Sequence, residues 1–169
     1  LILDLRQNPG GYLDAAVEMA DEFLPGQGMI VYTEGRVSKR DERKAGREGI
    51  FENGEVAVLI DEGSASASEI VSGALQDWDR ATIIGRRSFG KGLVQEQYPL
   101  KNGGALRLTV ARYYTPTGRS IQKDYGKGYE AYEKELAERY EDGELEHPDS
   151  LPKTKTDTSK VYKTLIKGS

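Results

Sequence analysis

Cysteine is absent from this 169-residue chain, which removes disulfides, thiolate nucleophiles and Cys-rich zinc sites together while remaining compatible with any compartment. Histidine occurs once, at His147, inside the acidic stretch Glu-Leu-Glu-His-Pro. It reads as a solvated surface residue, so a Ser-His-Asp triad is not the expected chemistry. Excess positive charge is lacking too. The net charge is −4, which gives no electrostatic reason to expect nucleic acid as a partner. No apolar run approaches the roughly 18 residues that span a membrane. The chain opens on Leu1-Ile2-Leu3-Asp4-Leu5, already a strand, with neither an initiating methionine nor a signal peptide. It is therefore expected to be a fragment of a longer protein whose targeting signal lies elsewhere.

What is present suits one soluble domain with a real core: 37% hydrophobic and 31% charged residues. The apolar run Val56 to Ile60 reads as a buried strand, and Ile70, Val71, Ala74, Leu75 and Trp78 recur at helical spacing. Between them lies Gly63-Ser64-Ala65-Ser66-Ala67-Ser68-Glu69, a strand-to-helix turn. Its hydroxyls sit where backbone N–H groups are unpaired and the helix dipole is positive. Such a turn serves as a helix cap, with Ser66 and Glu69 in capping-box spacing, or as the seat of a nucleophile whose reaction builds negative charge. The residues by themselves leave both readings open.

Along the rest of the chain, Leu1 to Leu5 is a strand followed by the irregular turn Arg6-Gln7-Asn8-Pro9-Gly10-Gly11. Leu13, Ala16, Val17, Ala20, Phe23 and Leu24 fit one helix face, stopped by Pro25-Gly26. Met29 to Thr33 reads as a second strand, and the polar stretch 34–53 as a hairpin or exposed loop. Ala81 to Gly85 reads as a short buried strand and Leu93 to Tyr98 as another. Lys101 to Gly104 is a hairpin turn leading into a half-buried strand over Ala105 to Tyr114. Strands alternating with helices point to an α/β layered fold. From Lys123 onward charge is dense. A helix is expected over Tyr129 to Tyr140, with Tyr129, Tyr132, Leu136 and Tyr140 near one face, then a loop over 144–159. The segment 123–169 reads as an appended or inserted piece, either a lid or partner contact or a solvated extension.

A serine nucleophile needs a base. Among the lysines, Lys91 stands apart because Gly90, Gly92, Phe89, Leu93 and Val94 flank it. An inward-pointing amine there would lose its proton more readily, since desolvation disfavours the ammonium. Gln95 lies four residues on, on the same face of an extended segment, where a neutral amide would orient the amine. The Gly10-Gly11 turn and the N–H of Ala67 would supply backbone donors for an oxyanion. Gly85 to Lys91 also matches the first seven positions of a phosphate-binding P-loop, but Gly92 stands where the magnesium-holding hydroxyl belongs.

Four motifs in this order, Leu-Asp-Leu-Arg-Gln-Asn-Pro-Gly-Gly (3–11), Gly-Ser-Ala-Ser-Ala-Ser-Glu-Ile (63–70), Gly-Ala-Leu-Gln-Asp (73–77) and Phe-Gly-Lys-Gly-Leu-Val-Gln (89–95), resemble the carboxyl-terminal processing peptidases, or tail-specific proteases. The likeness covers residues 1–122. It implies an α/β core related to the crotonase and Clp-protease folds, and a serine endopeptidase with a Ser-Lys dyad and no cofactor or metal. Carried over, Ser66 is the nucleophile, Lys91 the general base and Gln95 the third residue. The oxyanion donors are Ala67 N–H and a backbone N–H of the Gly10-Gly11 turn, Gly11 rather than Gly10. Substrates would be proteins with accessible C-terminal tails, homo-oligomers are open to it, and the compartment implied is the bacterial periplasm or cell envelope. Against the family pattern, Asp61 stands where Asn is frequent, with loop hydrogen bonding the expected consequence. A PDZ domain and the core's first strand and helix are expected before Leu1, and a Gly-rich segment after Ser169. Two alternatives stand beside this reading: a non-catalytic binding or scaffold module on the same fold, and a degenerate P-loop nucleotide binder.

Overall fold

The alternation of β-branched runs with helical periods resolves, in a computed structural model, into two sheets and three helices among the described residues. The structure describes residues 1–124, 126 and 128–145. The loop expected over 144–159, apart from Glu144 and Leu145, and the expected surface position of His147 lie outside them.

The first sheet is parallel, in the order β1 (Ile2–Asp4), β4 (Ala57–Ile60), β5 (Thr82–Gly85). Parallel neighbours need long crossovers. The one from β4 to β5 runs through helix α2 (Ala67–Asp77). The one from β1 to β4 runs through helix α1 (Leu13–Asp21) and the β2/β3 hairpin. The second sheet is antiparallel, in the order β3 (Asp41–Lys44), β2 (Met29–Glu34), β7 (Ala105–Tyr114), β6 (Leu93–Pro99). The polar stretch after β2 is thus a hairpin. The Asn102-Gly103 signal is the β6/β7 turn, with Gly103 at φ 82° and its neighbours closed by Leu100 N–H to Gly104 O at 2.8 Å.

The core lies where α1 and α2 pack on one face of the parallel sheet. Leu24, Ile30, Val31, Val58 and Leu75 are fully buried there, with Leu5, Ile70, Val71 and Ala74 around them. Every residue of α2 from Ala67 to Leu75 is buried, so this helix is enclosed all round rather than on one stripe. Trp78 is its C-cap, 44% exposed, with the indole N–H donating to Met29 O at 2.7 Å.

Two expectations of burial are corrected. The parallel strands have one open face. Leu3, Val58 and Ile83 align across the register toward the core, while Ile2 and Ile84 on the opposite face are 71% and 47% exposed. Alternation along a strand sends neighbours to opposite faces, and among the described residues no layer covers the second. Likewise only the inner end of β7, from Val110 to Tyr114, is partly buried. Ala105 to Thr109 stand exposed with Gln95 to Pro99 of β6, a two-stranded arm reaching away from the core.

Beyond β7, helix α3 (Tyr129–Glu141) forms where the sequence places one. Of its expected face only Tyr140 has a described side chain, and it is 64% exposed, whereas Arg139 is buried, at 6%. No helix among the described residues is long and apolar enough to cross a membrane.

Candidate active site

The Ser66 turn is fixed from below by groups that have nowhere else to bond. Asp61, at the end of β4 and 4% exposed, accepts N–H groups of Gln7 and Gly63 on Oδ1, each at 2.9 Å, and the Gln7 side-chain amide on Oδ2 at 2.7 Å. Burial pushes this carboxyl up, yet the bonds from Gln7 and Gly63 and the nearby Arg86 charge outweigh it and hold it below its ordinary value. The departure from Asn at this position thus acts on loop hydrogen bonding. Ser64 Oγ donates to Leu5 O at 2.7 Å and accepts the Asp61 N–H at 2.9 Å. The Asn8 carbonyl accepts Ala65 N–H and Ser68 Oγ, both at 3.0 Å. Two of the three serine hydroxyls are thereby committed to joining the β1 and β4 turns. Ser66 Oγ donates no hydrogen bond among the described residues.

Ser66 itself sits at φ 54°, ψ −114°, a positive φ that a non-glycine residue adopts at a cost, on the order of 1–3 kcal/mol, offset by its surroundings. It starts α2 and forms a capping box with Glu69. Glu69, 5% exposed, does more than cap. Its Oε2 accepts Ser66 N–H and Lys91 N–H, each at 2.8 Å, and its Oε1 accepts Ser88 Oγ at 2.7 Å and Gly90 N–H at 2.6 Å. One buried carboxylate therefore ties the serine turn to the loop that carries Lys91. The sequence reading recognised Glu69 only as a cap. The available signal was its place in a helix turn with apolar neighbours, where a carboxylate must be fully bonded.

Gly10 lies against this turn. At its φ of 94°, a Cβ would come within 2.5 Å of Ala65 O and 2.7 Å of Ala67 N. The Gly10 N–H is already used, donating to Asn8 Oδ1 at 3.0 Å. The N–H groups of Gly11 and Ala67 donate to no described residue. Of the two glycines, Gly11 is the one with a donor to offer.

The Lys91 loop is pinned on its other side by the segment after β7. Lys123 N–H donates to Gly90 O at 2.9 Å, and Tyr113 N–H to Gly92 O at 2.8 Å. A Cβ on Gly92 would lie 2.4 Å from Gln122 N. Against expectation, the Lys91 side chain is exposed rather than buried. Phe89 beside it is 41% exposed, so the flanking apolar residues do not enclose the amine. No hydrogen bond among the described residues joins Lys91 to Ser66 or to Gln95. Gln95 is exposed in β6, just after a register shift at Val94. The same-face argument for the pair does not apply, because β6 begins at Leu93, after Lys91. The structure thus brings together Ser66, Ala67, Gly10, Gly11 and the Lys91 backbone, and leaves the Lys91 amine and Gln95 amide in solvent.

The P-loop alternative fails here. After Gly92 comes strand β6, not a helix. The Gly90 and Lys91 N–H groups that a phosphate would need are already given to Glu69.

Two features escaped the sequence reading. Asp77, whose side chain is 2% exposed, accepts Thr117 N–H at 2.9 Å, Thr117 Oγ1 at 2.7 Å and Arg119 Nε at 2.9 Å. It anchors the turn after β7 that leads to Lys123. The other is a cavity of about 210 Å³ beside Gly11 and Ala67, lined by Leu5, Tyr12, Ala15, Met19 and Val71. A larger cavity of about 1080 Å³, at the open face near Ile2, Arg80 and Ile84, touches none of these residues.

The sequence matches peptidase family S41 over residues 1–129. The chain belongs to that family. It is 57% identical over 122 residues to a carboxy-terminal-processing protease of Bartonella bacilliformis, a match covering 72% of this chain and 28% of that protein. It is 45% identical over 122 residues, with the same coverage, to a carboxyl-terminal-processing protease of a Synechocystis species. Among solved structures, it resembles a photosystem II D1 C-terminal processing protease at a TM-score of 0.68 and 41% identity, over 72% of this chain and 31% of that one. The α/β fold is thus that of the S41 proteases. The chain spans less than a third of the length of these relatives.

Proposed function

We propose that this chain is the catalytic part of a serine endopeptidase that cleaves proteins near their C-termini. The observation that carries the reading is the Glu69 carboxylate, which accepts Ser66 N–H and Lys91 N–H on one oxygen and so sets a nucleophile turn and a lysine loop side by side.

In this mechanism Ser66 Oγ attacks the scissile carbonyl carbon as its proton passes to the Lys91 amine. The new oxyanion is held by the N–H groups of Gly11 and Ala67, and the positive end of α2 lowers its energy. Collapse breaks the C–N bond, and Lys91 returns the proton to the leaving amine. A water then attacks the acyl-enzyme, giving its proton to Lys91, and Ser66 departs with that proton. Lys91 must be neutral to begin, so its exposed amine has to be covered, and a bound substrate strand is the covering we assign. Gln95 then orients the amine. The apolar cavity beside Gly11 takes the substrate side chain before the scissile bond, favouring small to medium apolar residues. A PDZ domain elsewhere in the protein would capture the substrate's C-terminal carboxylate. Homo-oligomers fit the reading, as does the periplasm or cell envelope.

The Lys91 amine, exposed and without a hydrogen bond to Ser66 or Gln95, favours a second reading, a non-catalytic binding module on the same fold. Hydrolysis of a fluorogenic peptide by the full chain, compared with Ser66→Ala and Lys91→Ala, separates the two. Loss of turnover in both variants supports the peptidase, and unchanged turnover in either rules out the dyad.

A further inference from the structure

Among the described residues no side-chain hydrogen bond or ion pair holds Lys91, so its position is that of its backbone, and the backbone is gripped from two directions. Glu69 grips it from α2. From the other side comes α3, which lies in the charged segment beyond the core motifs. Glu135 of α3 pairs through Oε1 with Arg87 Nη2 at 2.7 Å and through Oε2 with Lys123 Nζ at 3.0 Å. One turn on, Arg139 Nη2 donates to the Arg87 carbonyl at 3.0 Å and pairs with Glu144 at 2.8 Å. The Lys123 main chain bonds Gly90 O, and Gly90, at φ 88°, has no room for a Cβ because Lys123 Cβ would lie 2.7 Å away. The helix therefore holds the loop on both sides of Gly90, at Arg87 before it and at Lys123 packed upon it.

We infer that Glu135 is a positioning residue for Lys91: by bridging Arg87 and Lys123 it clamps the loop 87–91 between α3 and Glu69, so that seating of α3 governs whether the lysine can serve Ser66. This rests on the peptidase reading of the site. Exposed ion pairs contribute little to stability. The Lys123 side chain is only 14% exposed, however, and the Arg139 side chain 7%, which shields that side of the network from water, whereas the Arg87 side chain is 55% exposed and leaves the Arg87–Glu135 pair open to salt. Its effect is expected on geometry more than on folding. A carboxylate joined to two cations on different segments fixes their separation, and a misplacement of about 1 Å at a reacting group can cost about a hundredfold in rate.

The test compares the full chain with its Glu135→Gln variant by peptide turnover and by amide hydrogen exchange. In the variant kcat should fall roughly tenfold with KM unchanged, as for a group acting only on the chemical step. Added salt should lower kcat in the wild type and hardly alter it in the variant. Exchange at the Gly90 and Lys91 amides should quicken while the amides of α2 keep wild-type protection, which also shows that the variant is folded. Wild-type kcat together with wild-type exchange in the variant would overturn the inference. If the wild type turns over no peptide, the peptidase reading fails. The exchange at Gly90 and Lys91 then decides the clamp alone: quickened supports it, unchanged refutes it.

Discussion

Ser66 and Lys91 donate their backbone N–H groups to the same oxygen, Oε2 of Glu69, each at 2.8 Å. Two segments 25 positions apart in the chain are thus registered to each other by one buried carboxylate, before any contact between their side chains. Replacing Glu69 by Gln keeps the shape but turns one acceptor oxygen into an NH₂ group that faces the Gly90 N–H at one position, or the Ser66 and Lys91 N–H groups at the other. The expected result is a loss of about 3 kcal/mol in denaturant unfolding, with peptide turnover falling further than stability alone explains.

The two glycines of the first turn should respond oppositely. Gly10→Ala places a methyl 2.5 Å from Ala65 O at a left-handed φ, so the Ser66 turn must move and turnover should drop about a hundredfold. At Gly11 a Cβ meets nothing within 4 Å, and Gly11→Ala keeps the N–H, so turnover should stay within a few-fold of the wild type. Parallel steady-state assays of the two variants check this contrast.

Acid should weaken the anchor below β7. Burial raises the Asp77 carboxyl, but the Thr115 hydroxyl beside it and the bonds from Thr117 and Arg119 outweigh it and hold it below its ordinary value of 3.8. A lowered folded pKa contributes stability that is complete above the unfolded value and lost as pH falls through the folded one. Unfolding free energy should therefore decline below about pH 4, and Asp77→Asn should start lower at neutral pH with a flatter acid limb. Denaturant titrations across that range read the difference.

The apolar cavity beside Gly11 sets the fourth expectation. Ala15→Phe fills the space of about 210 Å³. Substrates with Leu or Val before the scissile bond should lose roughly tenfold in kcat/KM relative to those with Ala there. A peptide series varied at that one residue measures the ratio.

Much of this was legible in the residues because it depends on local period and turn chemistry. The β4 run, the α2 spacing, the Asn102-Gly103 hairpin and the Ser66 turn are all local signals. What was not legible depends on which faces meet. The alternation of β7 reads as half-buried, yet its outer half meets no described layer. Lys91 has apolar neighbours in sequence, yet those neighbours leave its amine in solvent. Glu69 looks like a cap from its spacing to Ser66. Its bonds to Ser88, Gly90 and Lys91 arise only when a distant loop folds over the start of α2.

In the proposed mechanism Ser66 is acylated with Lys91 as its base. Intact-mass spectrometry of the full chain, quenched during turnover of a peptide substrate, reads this directly. An acyl adduct mapping to Ser66 is expected in the wild type, absent in Ser66→Ala and in Lys91→Ala. An adduct on another residue, or one that forms as readily without Lys91, would contradict it.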